Sequence, residues 1–72
     1  TQPVMFQALS GAERATFVQR HPRYEHELLR YSVDDALVKY YGMIIGDIIH
    51  IQDNDRQSGL VEEYGIVVEE IN

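Results

Sequence analysis

His21, His26 and His50 stand among twelve Asp and Glu residues, so metal binding and acid–base work are the first chemistries to consider. A zinc site needs ligands converging from fixed spacings. No His-Glu-x-x-His occurs, no histidine pair shares a helical face, and the chain has no cysteine to supply a thiolate. Each histidine therefore reads as a solvated or partly packed side chain. The stretch "DNDRQSG" opens like a calcium loop, with Asp53, Asp55 and Gln57 alternating. Its glycine, Gly59, comes one position late, and Tyr64 stands where the loop's bidentate glutamate belongs, so a turn between strands is the better reading. Carboxylates are paired at Asp34/Asp35, Glu62/Glu63 and Glu69/Glu70. Neighbours on a strand point to opposite faces, so Glu62 and Glu63 do not converge as an acid and a base. Ser10, Ser32 and Ser58 lie in no G-x-S-x-G elbow. Gly42 and Gly46 form G-x-x-x-G in a short segment flanked by charge, where they act as punctuation and not as a membrane packing motif. Neither phosphate-cradling glycine motif is present. Nothing here makes a catalytic site, and no cofactor is implied.

The elements that position these residues follow from local signals. "PVMFQAL" (3 to 9) is short and apolar, as a strand is. Ser10 and Glu13 have the spacing of a capping box and start a helix, in which Ala12, Ala15, Thr16 and Gln19 mark one face beside Phe17 and Val18. Pro22 ends it, and residues 23 to 27 read as a loop or a poor extra turn. "LLRY" (28 to 31) is a short strand. Asp34 and Asp35 are both suitable N-caps for about two turns of "ALVKYY", with Gly42 as the left-handed residue after the helix. Gly46-Asp47 turns the chain into the strand "IIHI" (48 to 51). "QDNDRQSG" (52 to 59) is a turn-rich connection, and "LVEEYGIVVEEI" (60 to 71) a last strand in which Gly65 marks a bulge or a close backbone approach. The order β-α-β-α-β-β, closing on an antiparallel hairpin, predicts a two-layer α/β domain: a small mixed sheet with two helices on one face. Residues 1–72 are expected to form one domain.

With 72 residues the core is small, and a partner often completes such a domain. The formal net charge is −6, with six scattered basic residues, which argues against gripping nucleic acid and suits a basic protein partner. No apolar run is long enough to cross a bilayer. The absence of cysteine fits an intracellular setting. The chain opens with Thr1, as a fragment or a processed product does. Tyr40 and Tyr41 diverge by about 100° on a helix. Either one ring enters the core and one lies at its rim, or the outer ring anchors a partner.

One resemblance gathers these signals. Leu28-Leu29-Arg30-Tyr31, then Asp35-Ala36-Leu37-Val38-Lys39-Tyr40-Tyr41-Gly42, Gly46-Asp47-Ile48-Ile49-His50-Ile51, Ser58-Gly59 and Tyr64-Gly65-Ile66-Val67 follow a known pattern. It is close to L-P-R-I, D-P-V-A-[RK]-Y-Y-G, G-[DQ]-[VI]-[VI]-K-I, S-x-x-A-G and Y-R-x-V. It resembles the C-terminal assembly domain shared by the fifth subunit of eukaryotic RNA polymerases and the small archaeal RNA polymerase subunit that is its counterpart. The spacing runs without gaps from about Leu9 to Val68, and "KYYG…GD" is its most specific part. Ala36 and Leu29 replace prolines of the pattern, Ile44 and Ile45 stand where basic residues are common, and Asp53 and Gly65 where arginine is. The copy is diverged and acidic, as in a viral or other fast-evolving polymerase.

The resemblance implies a non-catalytic subunit of a multisubunit DNA-dependent RNA polymerase. Such a subunit docks on the largest subunit and beside a neighbouring small one, supports assembly, and meets DNA only through the complex. Catalysis resides in the large subunits, and the place of action is wherever the polymerase acts, in nucleus, cytoplasm or virion. In eukaryotes a jaw domain precedes this domain, whereas the archaeal counterpart is this domain alone. Leu28, Arg30, Tyr40, Tyr41, Gly42, Gly46 and Tyr64 are the pattern residues. Tyr40, Tyr41, Ile44, Ile45, Arg30 and Tyr64 are the protein-interface candidates; the two isoleucines are chosen because exposed apolar groups profit only from a partner. The alternative is a free-standing acidic α/β protein-interaction module, and a weaker rival, a small nucleic-acid binder, needs a basic face.

Overall fold

The computed structural model describes residues 3–69 of the chain. Seven elements follow one another: β1 (Met5–Ala8), α1 (Gly11–Arg20), α2 (Tyr24–Glu27), β2 (Leu29–Ser32), α3 (Ala36–Tyr40), β3 (Ile48–Asp55) and β4 (Gly59–Val68). The four strands form one mixed sheet in the order β1-β3-β4-β2. β3 is antiparallel to both β1 and β4, and β2 runs parallel to β4. The expected class, a small mixed sheet with covering helices and a C-terminal hairpin, is what the chain adopts. The part of the last strand expected at Glu70 and Ile71 lies outside the described residues.

The helices are distributed differently from the expectation of one shared face. Alternation along β3 sends Ile49 and Ile51 to one side and Ile48 and His50 to the other. The buried core on the first side joins Phe6, Val38, Met43, Ile49, Ile51 and Val67, so α3 covers that side. On the second side, Tyr64 pairs with His50 and its ring packs 4.8 Å from Phe17 of α1. The chain thus crosses the sheet twice. From edge strand β1 to edge strand β2 it passes along one face with α1, and from β2 to central strand β3 it returns along the other with α3.

Local chemistry explains where the elements begin and end. The Ser10 hydroxyl accepts from the Glu13 amide at 3.2 Å while the Glu13 carboxylate accepts from the Ser10 amide at 2.9 Å, the capping box read from the sequence. The Ala12, Ala15, Thr16 and Gln19 face of α1 points to solvent, and Arg14, Phe17 and Val18 turn toward the sheet. Residues 24–27 make the single extra turn, α2. Of the two aspartates, Asp35 is the cap of α3, accepting from the amides of Leu37 at 2.9 Å and Val38 at 3.4 Å. Asp34 reaches forward to Lys39 instead. Gly42 and Gly46 take φ of 66° and 95°, the left-handed backbone expected after the helix and in the turn.

One reading is corrected and one open alternative is settled. Residues 52–55 are strand and not turn: Gln52, Asp53, Asn54 and Asp55 continue the pairing with Glu62, Val61, Leu60 and Gly59. The backbone ladder set by Ile51 carries on through polar residues, because an arm exposed to water has no need of apolar side chains. The turn itself is three residues, closed by Gly59 at φ 77°. Asp55 secures it by accepting from the amides of Gln57 at 2.7 Å and Ser58 at 3.2 Å. These bonds, both to Oδ1, hold its carboxyl below the ordinary aspartate value. At Gly65 the register is unbroken, so the glycine marks a close approach and not a bulge. A Cβ there would stand 2.7 Å from Tyr31 Cε1.

The capping box predicts an acid-sensitive end to the fold. Ser10→Ala will cost about 0.5–2 kcal/mol, measured by chemical denaturation. Bonds from Ser10, its backbone amide first and its hydroxyl second, hold the Glu13 carboxyl below its ordinary value of 4.5. Stability from a depressed carboxyl is present above the unfolded value and lost as pH falls through the folded one. Glu13→Gln will therefore flatten the stability profile below pH 4.5. A circular-dichroism titration with an unchanged acid limb in that variant would remove this role.

Candidate functional site

The candidate site is an apolar face built by α3 and the loop that follows it. Val38 is the helix residue that faces inward, and it is fully buried. Tyr40 and Tyr41 then leave the core behind: the rings are 80% and 53% exposed. The reading in which one of them enters the core is overturned, because Val38 fills the inward position and Met43 fills the space after the helix. Tyr41 nonetheless rests on the core's edge. Its ring stacks on Phe6 at 6.1 Å and meets Tyr40 edge-on at 4.9 Å.

The loop from Gly42 to Asp47 is held at several points. The Met43 amide donates to Val38 O at 3.0 Å and the Gly46 amide to Val67 O at 2.9 Å. Asp47 clamps the tip, with its carboxylate accepting from the Ile44 amide at 3.0 Å and its own amide donating to Ile44 O at 3.0 Å. From the other side of the sheet, the Arg14 guanidinium donates to Gly46 O at 2.9 Å. With Met43 drawn inward and the ends pinned, Ile44 and Ile45 are pushed outward, and they are 67% and 54% exposed. Two β-branched apolar side chains exposed on a fixed loop, following two exposed tyrosines in the chain, are costly to water and suited to a partner. Tyr41 forms the ridge between two grooves. One, of about 520 Å³, runs along β1 to Met43 and Asp47. The other, of about 340 Å³, lies against Ala36, Leu37 and Tyr40.

Not all six interface candidates come together. Tyr40, Tyr41, Ile44 and Ile45 follow one another along α3 and its loop. Arg30 is exposed on edge strand β2, and it pairs with Ile66 on the opposite face. Tyr64 also belongs to that opposite face, half-buried in a run of rings: His21 on Phe17 at 4.3 Å, Phe17 on Tyr64 at 4.8 Å, Tyr64 on His50 at 4.8 Å. His50 Nε2 lies 2.9 Å from Glu62 Oε2. This aromatic run lines a groove of about 540 Å³ with Leu9, Ala12 and Thr16. Sequence reasoning missed it, because its rings come from three elements; the alternation that sends His50 and Tyr64 to one face was the available signal.

Two of the serines weighed for catalysis have structural occupations. Ser10 caps α1, and Ser32 Oγ accepts from the Asp34 amide at 3.0 Å. Burial, with Glu63, Asp35 and Asp53 nearby, pushes the Tyr31 phenol up. Among the described residues no group of three His, Asp or Glu converges as a metal site, and no helix is long and apolar enough to cross a membrane.

Compared with known proteins, residues 2–67 match the family model of RNA polymerase Rpb5, C-terminal domain, nearly the whole chain. No curated protein matches the sequence.

Proposed function

The chain belongs to the RNA polymerase Rpb5 C-terminal domain family, a domain of an RNA polymerase subunit, and from that premise we propose that it is a non-catalytic part of a DNA-dependent RNA polymerase that docks on the largest subunit. The family match carries this reading. Residues 1–72 serve as one assembly domain, acting inside the cell wherever the polymerase acts. The docking face is the Tyr40, Tyr41, Ile44 and Ile45 surface, for which the support is its exposure and the fixed loop that presents it. The net charge of −6 favours a partner surface with basic groups around an apolar centre. Arg30 and Tyr64, on the other face, fit a contact with a neighbouring small subunit, and DNA is met only through the assembly.

Affinity purification from the producing cell through a tag on this chain will recover the polymerase's largest subunit at moderate salt. Recovery of the chain alone, at a salt concentration that leaves the polymerase intact, would sink the docking role and favour a free-standing adaptor.

A further inference from the structure

We propose that α1 is a strap that opens from the sheet as a unit while the rest of the fold stays closed. α1 has no buried residue, although it spans Gly11–Arg20. None of the six residues in the main core belongs to it. That core lies on the other face and joins β1, α3, β3 and β4, so it persists when α1 departs. α1 is held by the Arg14 bond to Gly46 O at 2.9 Å, by the Phe17 ring against Tyr64 at 4.8 Å and by the half-buried Val18. Ile48 and Ile66, which pair and are buried, lie on the face of the sheet that α1 packs against. A ten-residue helix is marginal alone in water, so the released segment melts as it leaves. Segments with few buried apolar contacts are the ones that open locally.

Hydrogen exchange followed by NMR on the 72-residue chain tests this. The Arg14 and His21 amides, bonded within α1, are expected to be about a hundredfold less protected than the Val67 amide, bonded to Asp47 O. Substitutions then separate a strap from a single cooperative unit. Val38→Ala weakens the core common to the closed and opened states, so it will lower protection at Val67 by about tenfold or more and leave α1 unchanged. Ile51→Val does the same more mildly if the first variant fails to fold. Arg14→Ala removes a bond present only in the closed state, and will lower protection at α1 and at Val67 by the same factor. Equal protection of α1 and Val67 in the parent chain, or a fall at α1 in step with Val67 in the Val38 or Ile51 variant, would overturn the proposal.

Discussion

Gly65→Ala will destabilise the fold by about 1–3 kcal/mol, and Gly65→Arg by more. The added Cβ meets Tyr31 Cε1 at 2.7 Å, Tyr31 Cδ1 at 2.8 Å and Leu29 O at 3.2 Å. The ring is also packed against Phe6, with centroids 5.5 Å apart at 74°, which limits where it can move. Against a total stability of about 4–11 kcal/mol for a chain this long, the loss is a large fraction. The pattern that the chain resembles has arginine at this position and isoleucine at that of Tyr31. The two departures explain each other: a large ring from β2 covers a bare backbone on β4. Tyr31→Ile in the Gly65→Arg background is therefore expected to restore stability. With the ring gone, the guanidinium gains room beside Glu63, Asp35 and Asp53, the same carboxylates that act on the Tyr31 phenol. A double-mutant cycle from urea denaturation reads the coupling directly. Additive single effects, or a Gly65→Ala chain as stable as the parent, would show that the ring does not enforce the glycine.

The same pair shows where sequence reasoning reached its limit. That Gly65 permits a close approach follows from a glycine inside a β-rich run, but the identity of the approaching group does not. Tyr31 and Gly65 meet only because β2 enters the sheet parallel to β4, which is long-range pairing with no local signature. By contrast, the Ser10 and Asp35 caps and the Gly42 and Gly46 turns depend on hydrogen bonds or dihedrals within a few residues, and each was legible where it stands. α1 was placed correctly in the chain, but its docking face was not. Its long-range polar tie runs through Arg14, a residue that a hydrophobic pattern ignores. The reach of β3 was underread because the polar side chains of 52–55 hide a backbone ladder imposed by the opposite strand. For the candidate face, the exposure of Ile44 and Ile45 was expected because they stand where the resembled pattern has basic residues. The exposure of both tyrosines was not, since helical geometry separates adjacent residues without saying which neighbour takes the core position. Val38 and Met43 take it.

Ile44→Asp combined with Ile45→Asp will cut recovery of the polymerase's largest subunit by about a hundredfold, the effect of losing at least one interface hot spot, while leaving the thermal midpoint of the free chain unchanged. Both side chains are more than half exposed, so the folded monomer loses little when they change. The bonds that shape the loop at position 44 use its backbone amide and carbonyl, which aspartate retains. An apolar centre desolvated on docking, in contrast, must bury two carboxylates without partners. Tyr40→Ala belongs in the same experiment, because its ring is 80% exposed. Tyr41→Ala does not separate binding from folding, since its ring also covers Phe6. Should the double aspartate variant recover the largest subunit as well as the parent chain does, with Tyr40→Ala equally silent, this face is not the docking surface. The Arg30 edge on the other side of the sheet is then the next surface to test by the same recovery experiment.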